Sequence, residues 1–115
     1  MGYSFHQSDL FVSVTGGIKA LEPAADLGII AAITSSYKMQ PLPHDAVFMG
    51  EVGLSGEIRP IARIETRIKE AKHLGFKNIY LPKRGIEKID SQLQKDITLY
   101  PCEHVEALLE LIFHS

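Results

Sequence analysis

Gly50-Glu51-Val52-Gly53-Leu54-Ser55-Gly56-Glu57-Ile58-Arg59-Pro60-Ile61 is the stretch whose reading decides the fold. Three glycines and a proline sit among alternating apolar residues, which predicts strand, tight turn, short strand and then a proline-marked helix start. The helix that follows runs from Arg63 to Leu74. Its apolar residues Ile61, Ile64, Ile68, Ala71 and Leu74 recur at helical spacing, with Arg63, Arg67, Lys69, Glu70 and Lys72 mostly on other faces and Gly75 as the stop.

Working outward on the N-terminal side, Ala46-Val47-Phe48-Met49 reads as a short buried strand, and Met39 to His44, with Pro41 and Pro43, as a loop. Before it, Pro23 opens a helix to about Tyr37 that is apolar on most sides, so a central, buried helix is expected. Leu10, Val12 and Val14 alternate with polar or aromatic neighbours up to the turn Gly16-Gly17, and Ile18 to Leu21 completes a hairpin. Residues 1–8 read as a linker or expression remnant. On the C-terminal side, Asn78 to Leu81 is a strand closed by Pro82, which a βαβ arrangement joins to the same sheet. Gly85 to Lys95 is polar with a weak helical pattern, Ile97 to Tyr100 is a further strand, and Val105, Leu108, Leu109 and Ile112 mark a final helix. The expected architecture is one α+β or α/β domain over residues 9–115, a mixed sheet covered by helices.

Composition bounds the function. At 115 residues and 45% apolar, the chain is long enough to bury a core without metal or disulfides. The densest apolar run, Leu27 to Ile33, is too short to span a bilayer, and Met1 to Ser8 has no signal-peptide pattern. Cys102 is the single cysteine, which excludes an internal disulfide and fits a reducing cytoplasm. The net charge of -2 hides a local excess: residues 59–84 carry eight Lys/Arg against two acids, +6, leaving -8 elsewhere. Such a block suits phosphate contact, and a solvated helix face has the same composition. No two of the five histidines have metal-ligand spacing on one helix, and no glycine pattern matches a phosphate loop. Ser35-Ser36, near the end of a buried helix, suits hydroxyls bonded back to helical carbonyls better than a nucleophile.

The order of these elements, with Pro23-Ala24-Ala25-Asp26 and the stretch from Gly50 to Ile61, resembles the proteolytic domain of Lon proteases from about Asp9 to Phe113. That resemblance implies the fold of ribosomal protein S5 domain 2. It also implies a Ser-Lys dyad, in which a neutral lysine takes the proton of an attacking serine. The serine position corresponds to Ala24 and the lysine position to Glu65, so both catalytic groups are missing; Lys69, one turn on, has no serine to serve. Asp9 to Gly17, Ala25-Asp26-Leu27, Ser35-Ser36 and Gly50 to Pro60 are similar to the Lon-like C-terminal domains of the RadA (Sms) family of bacterial DNA repair proteins. What that implies is a cytoplasmic, ring-shaped, hexameric ATP-driven motor for recombination and branched DNA. Its zinc finger and RecA-like ATPase would use Zn, ATP and Mg, and this domain would need no cofactor and perform no catalysis. The implied partners are duplex or branched DNA, further copies of the chain, and the ATPase domain of the same protein. The candidate DNA contacts are Arg59, Arg63, Arg67, Lys69 and Lys72. The alternative is a Lon-type serine peptidase with an unrecognised nucleophile.

Overall fold

A computed structural model describes residues 22–113. The expected hairpin from Leu10 to Leu21 and the linker at residues 1–8 lie outside the described residues. Within them the strands are β1 (Ala46–Phe48), β2 (Glu51–Val52), β3 (Ile58–Arg59), β4 (Asn78–Pro82) and β5 (Thr98–Cys102). The helices are α1 (Asp26–Lys38), α2 (Ile64–His73) and α3 (Val105–Ile112), with short 3-10 turns at Pro23–Ala25, Ile86–Lys88 and Ser91–Gln94.

β4 lies between β1 and β5, parallel to both, as the βαβ reading expects. β2 and β3 form a separate antiparallel hairpin, so the two strand orientations are divided between two sheets among the described residues. The period-2 alternation of β4 gives the parallel sheet two apolar faces. Ile79 and Leu81, both 0% exposed, join Val47 and pack with Ile68 and Ala71 of α2. Tyr80 and Cys102 face the other way, into a cluster with Leu27 of α1, Ile58 of β3 and Leu108 of α3. There the register sets Phe48 opposite Tyr80 and Tyr80 opposite Tyr100, and their rings stack with centroids 4.7 and 4.4 Å apart. Stacked aromatic neighbours of this kind hold the three strands in register.

The buried residues of α1 are Leu27, Gly28, Ala31, Ala32 and Ser35, one stripe at helical spacing, while Ile33 is 61% and Tyr37 88% exposed. The expectation of a helix buried on most sides is corrected accordingly. Leu27, Ala31 and Ala32 put their branched or small side chains on the inner face beside Gly28, and Ile33 and Tyr37 project away from it. α2 agrees with the expected Arg63 to Leu74 to one residue at each end, but Ile61, counted among its apolar residues, lies ahead of it. Pro60 and Ile61 precede the helix in non-helical chain, because Arg63 takes the left-handed conformation, φ 57°, and helical geometry begins at Ile64. Gly75 does end α2: its N–H donates to Lys72 O and that of Phe76 to Ala71 O, both at 3.0 Å, the paired bonds of a Schellman stop.

The decisive stretch folds as expected and is fastened at both ends. Leu54, Ser55 and Gly56 make the turn, closed by Gly56 N–H to Gly53 O at 3.0 Å and Gly53 N–H to Glu57 O at 2.9 Å. Gly56 takes the left-handed position of a three-residue hairpin loop, φ 85°. Ile58 N–H then donates to Glu103 O, and Val105 N–H to Gly56 O, each at 2.9 Å. Between these bonds lies His104, the N-cap of α3. Its Nδ1 accepts from Glu106 N–H at 3.0 Å while Nε2 meets Ser55 O at 2.7 Å, so a neutral ring protonated on Nε2 satisfies both.

Cys102 is buried on the aromatic face, and burial pushes its thiol up to about 11. At pH 8 the thiolate fraction is then on the order of one in a thousand, against about one in four for an ordinary thiol. Alkylation of the folded chain is therefore expected to be at least about 100-fold slower than in urea. Mass spectrometry of timed iodoacetamide reactions checks this, and equal rates would contradict it.

Candidate nucleic-acid interface

The start of α1, where the resemblance to Lon proteases expects the serine position, is stitched to the hairpin. Gly50 N–H donates to Ala24 O at 2.9 Å, Leu27 N–H to Gly50 O at 3.0 Å, and Val52 N–H to the Asp26 carboxylate at 3.1 Å. Ala24 itself is buried and presents only a methyl group. Glu65, where the resemblance expects the lysine, lies in the first turn of α2 and accepts the Asp90 N–H at 2.9 Å. A carboxylate held by a backbone amide braces the loop after the Ile86–Lys88 turn. Neither position offers a nucleophile or an amine base.

Ser35 is 1% exposed, and its hydroxyl donates to Gln40 O. The bond runs forward past the helix end rather than back into the helix, and it ties Ser35 to the chain just beyond Met39, which turns left-handed at φ 55°.

The five candidate cations do not form one patch. Arg59 lies on β3 and donates through Nε and Nη2 to Glu57 Oε2, at 3.1 and 2.8 Å. Hydrogen bonding to its own backbone N–H and to Arg59 holds the Glu57 carboxyl below the usual carboxylate range, and the same pair raises Arg59. The stabilisation from a lowered carboxyl is present at neutral pH and lost as pH falls through the lowered value. Arg67 is half-buried: its Nε donates to Ala62 O at 2.8 Å and its guanidinium pairs with Glu22, tying α2 to the turn ahead of α1. Lys72 donates to Leu93 O at 3.1 Å. Arg63 and Lys69 are exposed, and neither side chain has a hydrogen bond or ion pair among the described residues. Helical spacing sets Arg67 on one flank of the stripe formed by half-buried Ile64 and buried Ile68 and Ala71, and Lys69 and Lys72 on the other, while Arg63 precedes the helix.

Beside the hairpin, Arg59, Lys83 and Arg84 share an open groove of about 940 Å³ with Glu51, Glu57, Glu87 and Glu103. Lys83 pairs with Glu103 at 3.4 Å, so the groove is mixed in charge. Arg84 and Lys88, outside the candidate set, are exposed and without side-chain partners among the described residues. The charge count of the basic block includes Arg84, but no periodicity in Gly85 to Lys95 signals that the two lie together. No described helix is long and apolar enough to cross a membrane.

Together these features describe a layered fold in which Ala24 presents a methyl group and Glu65 a carboxylate that holds backbone. The chain matches the Lon protease (S16) C-terminal proteolytic domain over residues 2–115, and it belongs to that family. It is similar to the DNA repair protein RadA of Chlamydia pneumoniae, 40% identical over 104 residues, which cover 90% of this chain and 23% of the relative. RadA of Aquifex aeolicus is 44% identical over 105 residues, 91% and 22% of the two chains, and RadA of Streptococcus pyogenes 40% over 112 residues, 97% and 24%. The chain thus spans about a quarter of the length of these relatives. The expected kinship with RadA-type Lon-like domains holds across most of its residues.

Proposed function

We propose that this chain is the non-catalytic Lon-like domain of a RadA-type DNA repair motor, contributing duplex contact and ring assembly to branched-DNA processing in the cytoplasm. The observation that carries this reading is the division of labour on α2. Glu65 occupies the dyad position and holds backbone, whereas Arg63 and Lys69 keep their charges free for an outside partner. Phosphates supply that partner without demanding one contiguous patch, and ring assembly multiplies a modest contact by the number of subunits. Arg67, Arg59 and Lys72 are committed to Glu22, Glu57 and Leu93 and add to the field rather than reach outward. The ATP, Mg and Zn implied for such a motor are assigned to no residue here.

Arg63 permits a clean test. Its φ of 57° suits glycine, so Arg63→Gly removes the charge while relieving rather than straining the backbone. Arg63→Gly and Lys69→Gln are each expected to lower the salt slope of duplex binding by about 1, with the melting temperature held or raised for the glycine variant. An unchanged slope in both would remove this surface from the interface.

A further inference from the structure

A second groove, beside the start of α2, is small and chemically one-sided. Ile61 and Ile64 form one wall and Ile86 and Ile89 the other, around about 230 Å³, with Arg84 and Lys88 in the lining and no acidic residue among the described ones. That volume falls below the ~300–1,000 Å³ of small-molecule sites and suits one bulky side chain. The left-handed turn at Arg63 creates it, because Ile61 is left in the non-helical chain ahead of α2. Opposite, the turn Ile86–Lys88 presents Ile86. Ile61, Ile64 and Ile86 are only half-buried against the core cluster that includes Ile89, so apolar surface stays wet beside two unpaired cations.

We propose that this groove docks a segment of a partner protein carrying one bulky apolar residue flanked by carboxylates. The apolar side chain sits between the isoleucines, and the carboxylates meet Arg84 and Lys88. Duplex DNA would match the cations and leave the apolar walls uncovered. A single-anchor contact of this kind is transient, with a Kd on the order of 10–100 μM.

Fluorescence anisotropy of the 115-residue chain tests it with three short labelled peptides: leucine flanked by aspartates, alanine in that frame, and leucine flanked by lysines. The first is expected to saturate, and the other two to bind at least about tenfold more weakly. Arg84→Glu is expected to weaken the first about fivefold or more with the melting temperature unchanged, Ile86→Ser to weaken it as much with the melting temperature lowered by a few degrees and the chain still folded, and Arg84→Glu with Lys88→Glu to turn the preference toward the lysine peptide. Equal binding of all three peptides, or none below about 1 mM, would overturn the proposal. So would substitutions that change duplex affinity or sedimentation while peptide binding stays the same, since the groove would then serve DNA or a second copy.

Discussion

Gly56→Ala is expected to lower stability by about 2–3 kcal/mol, from about 1–2 for a left-handed alanine and about 1 for displacing a helix cap. The melting temperature should fall by about 10–15 °C. Gly56 sits at φ 85°, and a Cβ there would come within 2.7 Å of the His104 ring. That ring cannot yield freely, since it caps α3 through Nδ1 and holds Ser55 O through Nε2. The added methyl therefore disturbs the hairpin turn and the α3 start together. His104→Ala should cost about 1 kcal/mol alone and make room for the methyl, so the double variant should be less destabilised than the sum of the singles. Thermal unfolding of the four chains decides it, and strict additivity would contradict the steric coupling.

Ile68→Ala should cost about 2–5 kcal/mol, or about 10–25 °C in melting temperature. Ile68 is 0% exposed and belongs to the cluster with Val47, Ile79 and Leu81 through which α2 sits on the sheet. Truncation leaves a cavity between rigid layers, and the ion pair of Arg67 with Glu22 keeps the helix from sliding to fill it. Because α2 carries Lys69 and is preceded by Arg63, duplex affinity should change only as far as the folded fraction changes. A loss of affinity in the fully folded variant would show that helix position, and not charge alone, sets the contact.

Most of the fold was legible because its signals are local. Gly53 and Gly56 punctuate the hairpin, Gly75 ends α2, and the apolar run Ile79-Tyr80-Leu81 closed by Pro82 marks a strand. The exposure of Ile33 and Tyr37 was not legible, since a helix apolar all round does not say which face meets the sheet. Nor was the place of Ile61 ahead of α2: proline commonly opens a helix, and nothing in Ile61-Ala62-Arg63 announces a left-handed arginine. For the site, the residue types at Ala24 and Glu65 are read directly from the sequence. The roles of Glu65, which braces Asp90, and Arg67, which grips Glu22, depend on residues 25 and 45 positions away and needed the folded chain. The groove of Ile61, Ile64, Ile86 and Ile89 joins two segments by tertiary packing and has no sequence signature.

The most direct test of a non-catalytic, duplex-contacting domain is a titration of the chain with duplex DNA at two salt concentrations. Two to four phosphate contacts predict a Kd that weakens about 10- to 150-fold between about 50 and 200 mM monovalent salt. A Kd that is the same at both concentrations, or no binding at the lower one, would contradict the account.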